Sequence, residues 1–252
     1  MGYALRKIYP DDINTGIYTF KDYLKLPEGS PYQLIEGELI MSPSPNSYHQ
    51  TISKNLEFIL IGFAKANKSG IVLHAPIDVY IDEKNVFQPD IIFISKENKS
   101  ILRKKGIVGA PDLVIEILSV STMGYDEIVK KNIYLEAGVK EYITVNPSEK
   151  IIKTYIDKNY LKPDRRAVSD NTDKTGNIVK TGNTRKTKVL NKTSALSSSS
   201  SLSLSSSSSI QTIETDHSNT AELFINILGL SIPLKDIFEP DSEYQLKDED
   251  GE

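Results

Sequence analysis

The chain has 252 residues, of which 38% are hydrophobic and 25% charged, with no cysteine and a formal net charge of −4. Zero cysteines exclude a disulfide scaffold, thiolate metal ligation and a cysteine nucleophile, and no apolar run approaches the roughly 20 residues that span a bilayer. A cytoplasmic protein with no membrane partner is expected; the mild acidity argues against broad electrostatic nucleic-acid binding but says little about a local cleft.

Residues 1–17 read as an N-terminal extension in which Met1–Asp12 has no apolar stretch of signal-peptide type. Tyr32–Glu36 and Glu38–Ser42 flank Gly37 and predict a hairpin, followed by a loop over Ser42–Asn46. From His49 to Asn67, Ile52, Leu56, Ile59, Leu60 and Phe63 fall on one face of an amphipathic helix. Val72–Ile81 and Val86–Ser95 predict two strands joined at the turn Asp82–Asn85. Pro111–Leu118 is an apolar run of strand length, which predicts a buried central strand. Tyr125–Ala137 places Ile128, Val129, Ile133 and Leu135 at roughly helical spacing, closed by Gly138. Glu141–Val145 and Ile151–Ile156 predict a strand pair about Asn146-Pro147. The sum is an α+β fold, a mixed sheet flanked by two main helices.

Composition changes sharply after this body. Residues 162–192 hold nine Lys and Arg against three Asp, and twelve of the sixteen positions in Ser194–Ser209 are serine. Such a stretch buries too little apolar surface to offset its ordering entropy, so 162–215 is expected to be a basic, serine-rich disordered insertion. Its basic half has the charge to contact phosphate. Thr220–Phe238 regains apolar residues, among them Leu223, Ile225 and Leu230, and is expected to pack back on the body. One domain would then comprise 18–160 plus 220–238, with an acidic tail over 239–252.

Glu116 lies inside Leu113–Leu118 with apolar neighbours on both sides. An unpaired carboxylate there costs several kcal/mol or more, so it either faces water on an edge strand or has a cation, metal or strong donors nearby. Asp90 follows Pro89 at the head of an apolar strand; it either ends the preceding turn or is the second carboxylate of a hard-cation site. Such an ion, Mg²⁺ or Mn²⁺, is what phosphodiester hydrolysis needs to activate water and neutralise developing charge. Asp126, Lys130 and Tyr134 share one helical face, where Lys130 forms a surface ion pair or reaches over the metal site. His49 is either a helix-start packing histidine or a phosphate contact.

Tyr32–Leu39, Ser42–Pro45 with His49, Ala75–Val79, Gln88-Pro89-Asp90, Gly109–Ser119 with Ser121-Thr122, Ala137–Val139 and Glu141-Tyr142 occur in that order. Together they resemble the Uma-type putative restriction endonucleases of the PD-(D/E)XK nuclease superfamily. The resemblance covers about residues 18–157 and resumes at Asn226–Phe238. It implies a restriction-endonuclease-like core and a Mg²⁺-dependent (or Mn²⁺-dependent) endonuclease acting on DNA. Asp90 and Glu116 match the family's metal-binding carboxylates, with the Ile117 carbonyl as a third donor. The superfamily's lysine two residues after the glutamate is replaced by Leu118, and the resemblance moves that role to Lys130, with Lys131 as a neighbouring phosphate contact. Gln33 stands where the family commonly has Glu, which leaves Glu36 or Glu38 as first-motif substitutes. Val120, Ile143 and Asn146 stand where Pro, Trp and Asp are usual. These departures leave an alternative, a degenerate copy that binds DNA or a protein without cleavage. Double-strand cleavage with one site per chain would call for a homodimer.

Overall fold

The computed structural model describes residues 17–42, 44–119, 123–160 and 222–239, together with the strands Lys186–Asn191 and Gln211–Asp216. A short helix α1 (Phe20–Tyr23) precedes the hairpin β1 (Tyr32–Ile35) and β2 (Glu38–Met41). The long helix α2 (Ser47–Asn67) leads to β3 (Gly70–His74), β4 (Val79–Asp82), β5 (Asn85–Phe87) and β6 (Ile91–Ser95). A small hairpin, β7 (Leu102–Arg103) and β8 (Gly106–Val108), precedes β9 (Leu113–Ile117). A π-helical turn (Tyr125–Lys130) runs into α3 (Lys131–Glu136), followed by β10 (Glu141–Asn146) and β11 (Ile151–Asp157). Strands β12 (Lys186–Asn191) and β13 (Gln211–Asp216) come next, and β14 (Glu222–Ile225), β15 (Leu230–Pro233) and α4 (Leu234–Phe238) close the described chain.

Two mixed sheets carry the α+β architecture that the sequence predicts. The central sheet has the order β12-β13-β11-β10-β9-β6-β3, with β9 and β10 parallel and the other neighbours antiparallel. The smaller sheet has the order β2-β1-β5-β4-β8-β7. Side chains alternate across a strand, so each central strand feeds two cores. Ile91, Phe93, Leu113, Ile115, Ile117, Ile143 and Val145 pack with Ile52, Leu56 and Leu60 of α2. Each of those three α2 side chains is fully buried, a gain of about 1.5–3 kcal/mol per residue. Ile92, Ile94, Val114 and Tyr142 point the other way, to Tyr134 and Leu135 of α3 and to Val79 and Phe87 of the small sheet.

The closing segment packs on the α2 side, where Leu223, Ile225, Ile232, Ile237 and Phe238 complete the first core. Glu141, fully buried, accepts hydrogen bonds from Asn226 N and Nδ2 and from Ile227 N, each at 2.9 Å. The body and the closing segment are therefore joined by a buried carboxylate as well as by apolar contact.

Three expectations need correction. Each strand predicted at 72–81 and 86–95 is two strands in different sheets, because Pro76 and Pro89 lack the N–H that a continuous ladder requires. The turn at 82–85 does join β4 to β5, whereas β3 pairs with β6. The helix predicted from Tyr125 begins as a π-helical turn, a form that occurs mostly as single turns within α-helices and frequently at functional sites, and Ile128 faces solvent at 62% exposure. Within the stretch read as an insertion, β12 and β13 extend the central sheet beyond β11. The rest of 162–215, the extension 1–16 and the tail from 240 lie outside the described residues. Among the described residues, no helix is long and apolar enough to cross a membrane.

Candidate active site

The antiparallel register of β6 with β9 pairs Ile91 with Ile115 and Ile92 with Val114. Continued by one residue, that register sets Asp90 opposite Glu116, and directly opposed residues share a face. The face is the one covered by α3, since Val114 and Ile92 face it too. Two carboxylates separated by 26 positions in sequence are thus brought together by strand parity alone. Asp90 closes the arrangement: its Oδ2 accepts the Ile117 N–H at 2.7 Å.

Glu116 is 3% exposed, on a strand flanked by β6 and β10. The edge-strand reading is therefore wrong, and its carboxylate has a partner. Lys130 Nζ donates to Glu116 Oε1 at 3.2 Å and lies 2.8 Å from Asp126 Oδ1. The Asp126 contact is close but poorly aligned, more Coulombic than hydrogen-bonded. Asp126 and Lys130 are each 2% exposed, so this i,i+4 pair is a buried one rather than the common surface kind. Tyr142 Oη donates to the Asp126 carbonyl at 2.8 Å, which fixes the π-helical turn against β10.

Burial raises the Glu116 pKa well above the ordinary carboxylate range; Lys130 opposes this, while Asp126 and Asp90 add to it. Burial works against the charge on Lys130, but Glu116 and Asp126 more than offset it and keep the ammonium charged. Two buried carboxylates, Glu116 and Asp126, thus share a single buried ammonium, with Asp90 opposite Glu116 across the strands.

His49 adds a third element. Asn46 caps α2 by accepting the His49 N–H at 2.8 Å, so the imidazole is not the cap. The ring reaches the end of β9 instead: Nε2 lies 2.9 Å from the Ile117 carbonyl oxygen and 3.4 Å from Asp90 Oδ2. Burial disfavours its charged form, but Asp90, the Ile117 carbonyl and Asp126 together outweigh that and the His49 pKa is raised. His49 Nδ1 and the Tyr134 hydroxyl are buried without a hydrogen-bond partner among the described residues. Groups of that kind call for a water or an ion.

Other candidates are placed differently. Gln33 is buried; its Oε1 accepts the Gln88 N–H at 2.9 Å and its Nε2 donates to Ser42 Oγ at 2.6 Å. It therefore stands beside the segment leading to Asp90. Glu36 and Glu38 do not, because β1 runs away from Gln88 and carries both to an exposed turn where Glu36 N meets Asn85 Oδ1 at 2.9 Å. Lys131 points elsewhere, with its ammonium 4.5 Å from the centre of the Tyr155 ring. Sequence reasoning missed Tyr142 as the anchor of Asp126, and Glu141. For Glu141 a signal existed, since it also heads an apolar strand.

The donor chemistry suits a hard divalent cation. Asp90, Glu116 and the Ile117 carbonyl offer oxygen only. Among the described residues, no three or more His, Asp or Glu side chains converge in a metal-ligating group. Mg²⁺ commonly takes one or two carboxylates and keeps several waters, so this set fits it.

Comparison with known proteins adds independent observations. The model of the Uma2 family, described as "Putative restriction endonuclease", matches residues 20–173. An uncharacterized protein of Synechocystis sp., sll1609, is 26% identical over 136 residues, which cover 52% of this chain and 76% of that protein. A crystal structure of a putative nuclease belonging to DUF820, from Anabaena variabilis, aligns at a TM-score of 0.47 and 24% identity, covering 56% of this chain and 80% of that one.

Proposed function

The chain belongs to the Uma2 family of putative restriction endonucleases, and from that premise we propose that it is a Mg²⁺-dependent (or Mn²⁺-dependent) endonuclease hydrolysing phosphodiester bonds in DNA. The observation that carries this reading is the convergence of Asp90, Glu116 and Lys130 at one end of the central sheet. Asp90, Glu116 and the Ile117 carbonyl would hold the ion. When bound, it supplies water activation and neutralises charge on the reacting phosphate.

The chain's own groups do the rest. Lys130, kept charged by Glu116 and Asp126, would donate N–H hydrogen bonds to the attacking water and to the developing phosphate charge. Asp126 positions that ammonium from one helical turn away. His49 Nε2–H holds the Ile117 carbonyl, and Asp90 holds the Ile117 N–H, so both backbone polar groups of this residue are fixed before substrate arrives. Two such sites related by a two-fold axis would cut both strands.

Plasmid cleavage with Mg²⁺ or Mn²⁺ tests this, comparing the wild type with Asp90→Ala and Glu116→Ala. Loss of cutting in both variants is expected. Equal cutting by all three would sink the reading. Gln33 favours a second one: an amide, satisfied by Ser42 and Gln88, occupies the position beside the segment leading to Asp90 where the first-motif carboxylate is expected. A non-cleaving binder would keep its DNA affinity in both carboxylate variants.

A further inference from the structure

The small sheet is electrically polarised along its strands. At one end the β1–β2 and β4–β5 turns meet, Gly37 N donating to Lys84 O at 3.0 Å, and present Glu36, Glu38, Asp82 and Glu83 with Lys84 among them. At the other end the β7–β8 hairpin presents Arg103, Lys104 and Lys105 consecutively, all exposed. Among the described residues, no carboxylate lies within ion-pair distance of these three.

The basic end is fastened to the candidate active site. Gly106 fits against β4 where a Cβ would lie 2.6 Å from the Asp78 carbonyl oxygen, and Ile107 N donates to that oxygen at 2.8 Å. The Asp78 side chain accepts from Gln88 Nε2 at 2.9 Å. Gln88 is two residues from Asp90, at most about 7.6 Å of backbone. From the other direction, Ala75 N donates to the Asp90 carbonyl at 3.0 Å, so the segment 75–78 links Asp90 to the foot of the hairpin. The acidic turns are carried to the far end by the same strands.

We propose that the Arg103–Lys105 tip is a contact for the DNA backbone, holding phosphates a few nucleotides from the one presented to Asp90 and Glu116. This rests on the nuclease reading for its substrate class. A duplex carries one charge per about 1.7 Å of axis, so a fixed cluster of cations beside the site always meets phosphate, whatever the sequence. The polarity of the sheet gives direction as well, since the acidic end repels the same backbone.

The test is the salt dependence of duplex binding by the full chain, measured by fluorescence anisotropy on a labelled DNA duplex. Lys104→Gln/Lys105→Gln is compared with Lys65→Gln/Lys68→Asn, which removes equal charge at the end of α2. Arg103 is left intact because its guanidinium bonds the Ser100 and Leu102 carbonyls. The slope of log K against log salt is expected to fall by about 1.8 in the hairpin variant, from about 0.9 per phosphate contact, with the matched control unchanged. An unchanged slope in the hairpin variant, or equal loss in both, overturns the proposal. Wild type that binds duplex without cutting it, with the loss confined to the hairpin variant, supports the contact and sinks the nuclease reading instead. Wild type that shows no salt-dependent binding overturns both.

Discussion

The Lys130 ammonium sits 3.2 Å from the Glu116 carboxylate, although one comes from a helix and the other from the middle of a buried strand. Each group makes the other tolerable where both are almost fully buried. Removing the lysine therefore has two consequences that can be separated.

Lys130→Met is expected to lower cleavage by about 10²–10³-fold, the usual cost of losing a group aimed at developing charge. It also leaves Glu116 and Asp126 buried without their cation, which costs about 3–5 kcal/mol. Urea denaturation reads the second effect and plasmid nicking the first. The double variant Lys130→Met/Glu116→Gln should recover part of the lost stability, since Asp126 stays without its cation, but not activity. A double variant that cuts DNA would show that the lysine is structural only.

Stability in metal-free buffer should fall as pH rises through the raised Glu116 pKa. Burial lets the folded protein hold this proton to higher pH than the unfolded chain does. The native state then binds more protons over that window, and the free energy of unfolding decreases with pH. Glu116→Gln should flatten this slope, and Mg²⁺ should counteract it by binding the folded form. A chemical denaturation series across pH, with and without Mg²⁺, checks both.

Gln33→Glu would place a carboxylate beside the segment that leads to Asp90. The new oxygen can still accept from Gln88 N, and the Ser42 hydroxyl can rotate from acceptor to donor. Calorimetric Mn²⁺ affinity should rise, with a change in melting temperature of only a few degrees. Unchanged metal affinity would argue that this position lies outside the ion's reach.

Glu141→Ala should release the closing segment. Three hydrogen bonds to a buried carboxylate are lost and their donors are left unpaired, at a cost of about 3 kcal/mol or more. Hydrogen exchange at Asn226 and Ile227 should speed up before that of β9. Uniform loss of protection across the chain would mean that the segment is not a separate unit.

How much of this was legible in the sequence depended on which interaction set each feature. The α2 face was legible because Ile52, Leu56 and Leu60 repeat at a single period. The site pair was legible because a carboxylate in an apolar run is costly and so informative. The partition of β3–β6 between two sheets was not, since alternation along a strand says nothing of which neighbour it pairs with. Whether Lys130 was buried was equally hidden, because an Asp–Lys pair at i,i+4 has the same spacing on a surface and in a core. Glu36 and Glu38 were misleading for a geometric reason: three residues along a strand is about 10 Å, enough to leave the site.

The placement of Glu116 also bears on how the chain avoids folding wrongly. Parity assigns Leu113, Ile115 and Ile117 to the α2 core and Val114 and Glu116 to the α3 side. A slip of β9 by one residue would exchange the two sets. Glu116 would then lie among Ile52, Leu56 and Leu60 without a cation, a penalty of several kcal/mol that an all-apolar strand would escape. The residue proposed to hold the metal thereby also serves as a proofreader of strand register, rejecting the misaligned sheet before any substrate is met.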